Sequence, residues 1–179
     1  MPSNPYDAKG LLAYALRCDD PVLFLEPREV LNSKGPVPDG DYEIPFGAAS
    51  VVRTGTAATV VALAAMVPKA ILACAALDRE GITVELIDPR TVAPLDLATI
   101  LTSVRKTGRL LIADETFGPF GVGAEIAARV ADEGFDDLDA PIRRQNGVHA
   151  PTPYSPPLEK AVVPGVDELI RAIRDLLAE

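Results

Sequence analysis

In this sequence of 179 residues, acidic side chains placed where predicted strands end, and so able to do acid–base chemistry, stand in two short stretches. The stretch "IDPRTVAPLD" supplies Asp88, Arg90 and Asp96, and "ADET" supplies Glu115. Two acidic groups at one edge of a sheet could transfer protons, but no nucleophile or metal-binding set accompanies them. The pattern therefore favours a structural ion pair or contacts with a partner.

The single histidine, His149, is the natural candidate for a general base that activates a serine or cysteine. It lies in the proline-rich stretch "HAPTPYSPPLE", where "YSPP" lacks the glycines of a nucleophile elbow. No serine or cysteine stands in a recognisable nucleophile setting. A role for His149 in a loop or an interface is the better interpretation.

A glycine-rich stretch, "FGPFGVGAE", lies between a predicted strand and a predicted helix. Backbone N–H groups and a helix dipole at such a place could hold a phosphate. However, the spacing G-x-x-G-x-G differs from the dinucleotide fingerprint, and no Lys-Ser/Thr pair follows as in a P-loop. The motif is more typical of a tightly packed turn or subunit contact.

Charge and composition exclude several classes of function. A net charge of −9 disfavours nucleic acid, whose phosphates would be repelled, and suits solubility or a basic protein partner. No apolar run approaches the roughly 18–20 residues of a membrane span, and no secretion signal is visible. Cys18 and Cys74 match no metal spacing and are interpreted as reduced residues of a cytoplasmic chain.

Strands and helices alternate from about residue 56 onward. Predicted strands cover 58–64, 83–88 and 109–114, and predicted helices cover 67–79, a segment capped by Asp96, 123–131 and 166–178. Such alternation predicts a three-layer α/β fold with a mostly parallel sheet and one antiparallel edge strand. The charged segment 141–147 suits a sheet edge, and the prolines of "HAPTPYSPPLE" predict no regular structure.

The first 45 residues, called the leader below, have a different pattern. Residues 7–17 are predicted to be helical, Val22–Leu25 to form a short apolar strand, and 27–55 to be a linker rich in Pro and Gly. A buried strand needs neighbours in a sheet, and no earlier strand could supply them. The leader therefore resembles the end of another domain.

The stretches "PYDAKGLL", "IDPRTVAPLD", "LDAPIRR" and "PTPYSPPLEK" together resemble one family along nearly the whole chain. The family is the beta chain of the thiamine-diphosphate-dependent 2-oxoacid dehydrogenases, which includes the pyruvate, branched-chain and acetoin enzymes. The resemblance implies that 46–179 is a transketolase-like C-terminal domain. It also implies that 1–45 is the tail of a pyrimidine-binding domain plus a linker.

For activity, the resemblance implies oxidative decarboxylation of a 2-oxoacid with acyl transfer to a lipoyl group. The family's catalytic glutamate and histidine belong to the pyrimidine-binding domain, upstream of Met1, and the diphosphate and Mg²⁺ bind on the alpha chain. We therefore expect no catalytic and no cofactor-binding residue in this chain. The isolated chain is expected to be inactive.

For partners, the resemblance implies an α2β2 assembly with an alpha subunit and a second beta subunit. It also implies docking to the subunit-binding domain of the dihydrolipoyl acyltransferase, which is basic in many family members. The predicted partner contacts are His149, Asp88, Arg90 and Glu115. Some relatives carry Asp where this chain has His149, so a neutral His149 would lack one attractive charge.

A potassium site is also implied, built largely from backbone carbonyls at positions matching Ala15, Leu16, Cys18 and Asp20. Hard cations accept carbonyl oxygens at such helix ends. Cys18 replaces an Asp that relatives often carry, which departs from the family pattern.

Two alternatives remain open on the sequence. The chain could be a stand-alone interaction or regulatory module, or a fragment of a transketolase-like enzyme with the same fold. The sequence does not determine which 2-oxoacid, or acetoin, the full enzyme would use.

Overall fold

Five strands form a single sheet in the computed structural model, which describes all residues from 1 to 179. The strands are β1 (Ser50–Arg53), β2 (Ala58–Ala62), β3 (Val84–Asp88), β4 (Leu110–Phe117) and β5 (Arg143–Gly147). Their spatial order is β1-β3-β2-β4-β5, in which β1 is antiparallel to β3 and the other pairs are parallel. The predicted mostly parallel sheet with one antiparallel edge strand is confirmed.

Six α-helices surround the sheet and precede it. They are α1 (Pro5–Arg17), α2 (Met66–Asp78), α3 (Leu97–Thr107), α4 (Val122–Gly134), α5 (Pro156–Val162) and α6 (Val166–Leu177). Short 3-10 turns occupy Arg28–Val30 and Phe135–Asp137. None of these helices combines the length and the apolar composition that crossing a lipid bilayer requires.

Alternation along the buried strands makes the three layers. In β2, Val60 packs among the residues of α2 and α6, whereas Val61 packs among those of α3 and α4. Successive side chains of a strand point to opposite faces, so a wholly apolar strand is buried on both. The predicted three-layer arrangement is therefore confirmed.

Local signals place the helix ends as expected. Asp96 caps α3 by accepting a hydrogen bond from the backbone N–H of Thr99 at 3.1 Å. Gly108 ends the helix in the left-handed region, at φ +68°, where a residue without Cβ carries no steric penalty. These two residues fix the loop that follows β3 and the start of β4.

Three predictions of secondary structure were wrong. Val22–Leu25 pairs with none of the five strands and lies on the surface, where Leu23 is 84% exposed. The predicted linker 27–55 contains β1, whose partner lies in distant β3. The proline-rich stretch contains α5, because its prolines occupy the first helical positions, where no N–H is needed.

Helix α1 of the leader packs against the last residues of the leader, just before the sheet. Helix α1 packs against Tyr42 and Ile44, and the Ile44 N–H donates to the carbonyl of Gly10 at 3.0 Å. A Cβ at Gly10 would approach Ile44 Cγ1 to 2.6 Å, so the close contact requires glycine. The rings of Tyr6 and Tyr42 stack with centroids 4.7 Å apart.

Candidate functional site

The side chains predicted for partner contact lie at or near the carboxyl edge of the parallel strands, where ligands bind in open α/β sheets. Asp88 ends β3, and Glu115 lies near the end of β4. His149 follows β5 by two positions. The structure separates them into a buried cluster that is hydrogen-bonded within the chain and a groove that is open to solvent.

The first cluster, called the leader clamp, consists of Ser3, Asp7, Asp88 and Arg90. Asp88 is 1% exposed, and its carboxylate accepts a hydrogen bond from the Ser3 hydroxyl at 2.5 Å. The backbone N–H of Arg90 donates to the other Asp88 oxygen at 2.8 Å. One buried carboxylate thus joins the end of β3 to the start of the chain.

An ion pair completes the leader clamp. The Arg90 guanidinium lies 2.8 Å from Asp7 Oδ1, and the Asp7 side chain is only 3% exposed. Asn4 caps α1 by accepting from the Asp7 N–H, while its own amide donates to Asp7 Oδ2 at 2.6 Å. Arg90 has φ +59°, in the left-handed region, which points to a locally constrained loop.

The same β3–α3 loop holds the approach to β1. Thr91 Oγ1 accepts from the Gly47 N–H at 3.0 Å and donates to the carbonyl of Pro94 at 2.7 Å. Asp96 Oδ2 accepts from the Ala49 N–H at 3.0 Å. The polar side chains of the stretch "IDPRTVAPLD" therefore make contacts inside the chain, and the ion pair of Arg90 is with Asp7 rather than with an Asp of its own loop.

Burial and hydrogen bonding shift the pKa values of Asp88 and Asp96 in opposite directions. Burial raises the pKa of Asp88 to about 6, against the lowering effect of the hydrogen bonds from Ser3 and Arg90, and nearby Asp7 raises it further. Burial also raises the pKa of Asp96, but hydrogen bonds from Thr99 and Ala49 outweigh it and lower that pKa below its ordinary value.

The second cluster, called the open groove, lies over the ends of β4 and β5 and has a volume of about 830 Å³. Its walls come from the turn at Arg28–Val30, the start of α2, the loop after β5, α5 and the start of α6. Two ion pairs cross it: Lys69 with Glu29 at 3.1 Å and Arg28 with Glu159 at 2.9 Å.

Glu115 faces the open groove without an ion pair, since Lys69 pairs with Glu29 instead. Burial raises the pKa of Glu115 above its ordinary value, Glu29 and Asp114 raise it further, and Lys69 opposes them. A half-buried carboxyl with no partner of its own is able to accept a hydrogen bond or a cation from another molecule.

Exposed aromatic side chains lie close in sequence to residues that line the open groove. His149 is exposed and its ring lies 4.9 Å from that of Phe117, at an angle of 33°. Phe120 and Tyr154 are almost fully exposed. Asp114, one residue before Glu115, accepts two hydrogen bonds from Thr116 and so braces the turn.

The glycine-rich loop packs closely, in agreement with its favoured interpretation. A Cβ at Gly123 would approach Ile112 Cγ2 to 3.2 Å, and one at Gly121 would approach the Phe117 carbonyl to 3.0 Å. The space beside these glycines is thus filled by the protein itself.

The four residues predicted for potassium lie at the end of α1. The carbonyls of Ala15 and Leu16 accept no backbone hydrogen bond, as is usual at a helix end, whereas Cys18 N–H donates to Tyr14 at 3.0 Å. Asp20 is exposed. These atoms could contribute oxygen ligands, and the potassium site stays a prediction.

No group of three or more His, Cys, Asp or Glu side chains is arranged to hold a metal ion. We assign no residue of the chain to thiamine diphosphate or its magnesium ion. Cys18 and Cys74 are both free, and burial raises the pKa of Cys74 to about 11, which suits an unreactive structural thiol.

Sequence reasoning missed Ser3 and Asp7. The pattern Asn4-Pro5 with an acidic Asp7 marks a helix start, so a capping role was visible. Their partners Asp88 and Arg90 lie more than eighty positions away, and no local pattern indicates that pairing.

Comparisons with known proteins agree with the fold. The family described as "Transketolase, C-terminal domain" matches residues 47–169. Among solved structures, "Split gene transketolase, inactive beta4 tetramer" matches with a TM-score of 0.68 and 26% identity, covering 80% of this chain and 46% of that chain.

Three curated relatives are similar along nearly the whole chain. Acetoin:2,6-dichlorophenolindophenol oxidoreductase subunit beta of Bacillus subtilis is 46% identical over 179 residues, covering 100% of this chain and 52% of that protein. Pyruvate dehydrogenase E1 component subunit beta of Rhizobium meliloti is 44% identical (97% and 38% covered). 2-Oxoisovalerate dehydrogenase subunit beta of Pseudomonas aeruginosa is also 44% identical (92% and 51% covered). The chain thus spans about half or less of the length of these relatives.

Proposed function

Because the chain belongs to the transketolase C-terminal domain family, we propose that it is the carboxy-terminal part of a 2-oxoacid dehydrogenase beta chain. In this proposal, residues 46–179 are the C-terminal domain and 1–45 are the end of a pyrimidine-binding domain plus a linker. The observation that carries it is that 46% identity to one beta subunit runs through both the leader and the sheet domain.

The role proposed for this part is assembly. Its partners would be the alpha subunit, a second beta subunit, and the subunit-binding domain of the dihydrolipoyl acyltransferase. The open groove supports this role, because Glu115 is unpaired and the neighbouring aromatic side chains are exposed. An interface gains most where apolar and aromatic surface is removed from water.

The four residues predicted for partner contact divide into two roles. His149 and Glu115 are proposed for direct contact, since both lie at the open groove or its rim. Asp88 and Arg90 are proposed to act indirectly, because their side chains are bonded to the leader and position it.

Thiamine diphosphate, when bound in the complete enzyme, supplies the carbanion chemistry of decarboxylation. This chain's share is surface and positioning. Potassium is proposed at Ala15, Leu16, Cys18 and Asp20, and a cytoplasmic location is supported by the two free cysteines.

A chimera tests the proposal. The amino-terminal half of the Bacillus subtilis acetoin subunit beta is fused to this chain and co-expressed with its alpha subunit. We expect a stable heteromer on size exclusion and reduction of dichlorophenolindophenol with acetoin. A folded chimera that elutes without the alpha subunit would contradict the proposal.

The isolated chain provides the matched control. Supplied with thiamine diphosphate, Mg²⁺, dye and pyruvate, 2-oxoisovalerate or acetoin, it is expected to reduce no dye. Turnover of any of these by the chain alone would show that it carries its own catalytic groups.

A second candidate, a self-assembling interaction module, is favoured by one observation. The solved relative with 26% identity is described as an inactive beta4 tetramer, so a related chain assembles with itself. Light scattering of the purified chain distinguishes the two: a stable tetramer that does not exchange with an alpha subunit supports the module.

A further inference from the structure

We propose that the leader clamp is a proton-controlled latch, in which protonation of Asp88 favours the state that holds α1 on the carboxyl end of β3. This inference rests only on contacts inside the chain. It does not depend on which enzyme, if any, the chain belongs to.

Asp88 is bonded only to neutral donors. Its carboxylate accepts from the hydroxyl of Ser3 and the backbone N–H of Arg90, which are both neutral donors. The guanidinium of Arg90 lies against Asp7 instead, at 2.8 Å. A carboxylate buried to 1% exposure and without its own cation is costly to keep ionised.

Opening the latch would change the surroundings of Asp88. Ser3 is the part of the leader that bonds directly to Asp88; the other bond to its carboxylate comes from its own loop. Lifting the leader would break the Ser3 bond, separate Asp7 from Arg90 and admit water to Asp88. Hydration would return the pKa of the Asp88 carboxyl toward its ordinary value, whereas closure would bury the carboxyl again.

The direction of the pH effect follows from this difference. Burial raises the pKa of Asp88 to about 6 in the closed state, and the ordinary value is 3.8. Between these values the closed state holds more protons than the open state, so closure is favoured at acidic pH and weakens as pH rises through about 6. The closed-to-open ratio should therefore rise about tenfold from pH 7 to pH 5.

The other charged groups that face Asp88 are Asp7, Arg90 and the amino group of Met1. The Met1 amine donates to the carbonyl of Arg90 at 2.9 Å, and burial lowers its pKa from 8.0. Its titration acts in the opposite direction, favouring closure as pH rises. The test must therefore compare variants that share the same amino terminus.

Hydrogen exchange of the full chain tests the latch. The opening equilibrium of the α1 amides is measured at pH 5 and pH 7, corrected for intrinsic exchange rates and for core amides of β2. In the wild type we expect opening to be about tenfold rarer at pH 5 than at pH 7. Asp88→Asn, which lacks the titrating carboxyl, should not show this change. An identical pH dependence in both proteins would overturn the proposal.

Asp114→Asn is the matched control. Asp114 is also buried and lies near the carboxyl end of β4, two strands away from β3, but its carboxylate accepts hydrogen bonds only from Thr116. This variant should keep the wild-type pH dependence of α1. If Asp114→Asn also lost the pH dependence of α1 opening, the effect would come from general sheet stability, and the proposal of a latch would be wrong.

A direct titration covers the case in which Asp88→Asn fails to fold. Carboxyl carbon shifts of the wild-type chain should show Asp88 titrating near pH 6, and Ser3→Ala should move that midpoint upward by removing a donor to the ionised form. A midpoint near 4 in the wild type, or no upward shift in Ser3→Ala, would contradict the latch.

Discussion

At the end of β3, Asp88 is buried at 1% exposure and bonds across to the leader, whereas Glu115 near the end of β4 faces an open groove without an ion pair. Both are acidic residues at the carboxyl edge of the same sheet. Their surroundings differ because the start of the leader covers Asp88, whereas Glu115 faces a groove bordered by the Arg28–Val30 turn, α2, the loop after β5, α5 and α6.

This difference indicates that the end at Asp88 positions the leader, whereas the end at Glu115 is free to contact a partner. The buried carboxylate of Asp7 pairs with the Arg90 guanidinium within the chain, so that end fixes where α1 lies. Exposed aromatic rings and an unpaired carboxylate can exchange water for a partner at little cost. The side chains of "IDPRTVAPLD" therefore make contacts within the chain, and the surface proposed for a partner lies two strands away.

The largest effect is expected from Arg90→Gln, which leaves Asp7 buried without its cation. Breaking a buried ion pair costs about 3–5 kcal/mol of unfolding free energy. Urea denaturation at pH 7 measures it. Arg28→Gln is the control, because its pair with Glu159 is exposed and is worth about 0–1 kcal/mol. Equal losses of unfolding free energy in the two variants would show that the Asp88 end of the sheet edge is no more tightly held than the open-groove end.

Gly147→Ala should disturb the open end through the backbone. Its Cβ would lie 2.4 Å from the carbonyl oxygen of Glu115 and 3.0 Å from that of Val162, neither of which can rotate away. We expect a loss of about 1–3 kcal/mol in thermal or urea unfolding. Gly40→Ala, where no atom lies within 4 Å, should change stability by less than about 0.5 kcal/mol; a comparable loss there would point to a chain-wide effect.

Phe120→Ser tests the open end as a contact surface. Phe120 is fully exposed, so stability should change by less than about 0.5 kcal/mol, while partner binding weakens about tenfold. Calorimetric titration with the acyltransferase subunit-binding domain measures the affinity. Phe135→Ser, exposed at the far end of α4, should bind as the wild type does. Unchanged binding in both variants would place the contact elsewhere.

The smallest effect is expected from Glu115→Gln. Because the pKa of Glu115 is raised in the folded chain, its ionisation destabilises the fold as pH rises through that pKa. The variant should be more stable than the wild type by about 0.5 kcal/mol at pH 7 and no more stable at pH 4. Thermal unfolding at both pH values checks this, and a variant less stable at pH 7 would reveal a cation paired with Glu115.

Much of the sheet domain was predictable from short-range patterns. Val60 and Val61 alternate between the two faces as their positions require, and Asp96 and Gly108 mark the ends of α3. The carboxyl-edge positions of Asp88 and Glu115 also followed from the strand assignments. Each of these signals depends on neighbours within a few residues.

What the sequence by itself determined was the fold class, the family and the faces of the helices and strands, because backbone preference and apolar periodicity are local properties. Only the tertiary structure decided that β1 pairs with β3, that Val22–Leu25 finds no sheet, and that Ser3 meets Asp88 across 85 positions. Which buried polar groups satisfy one another depends on the packing of the whole chain, since each pair must exclude water together.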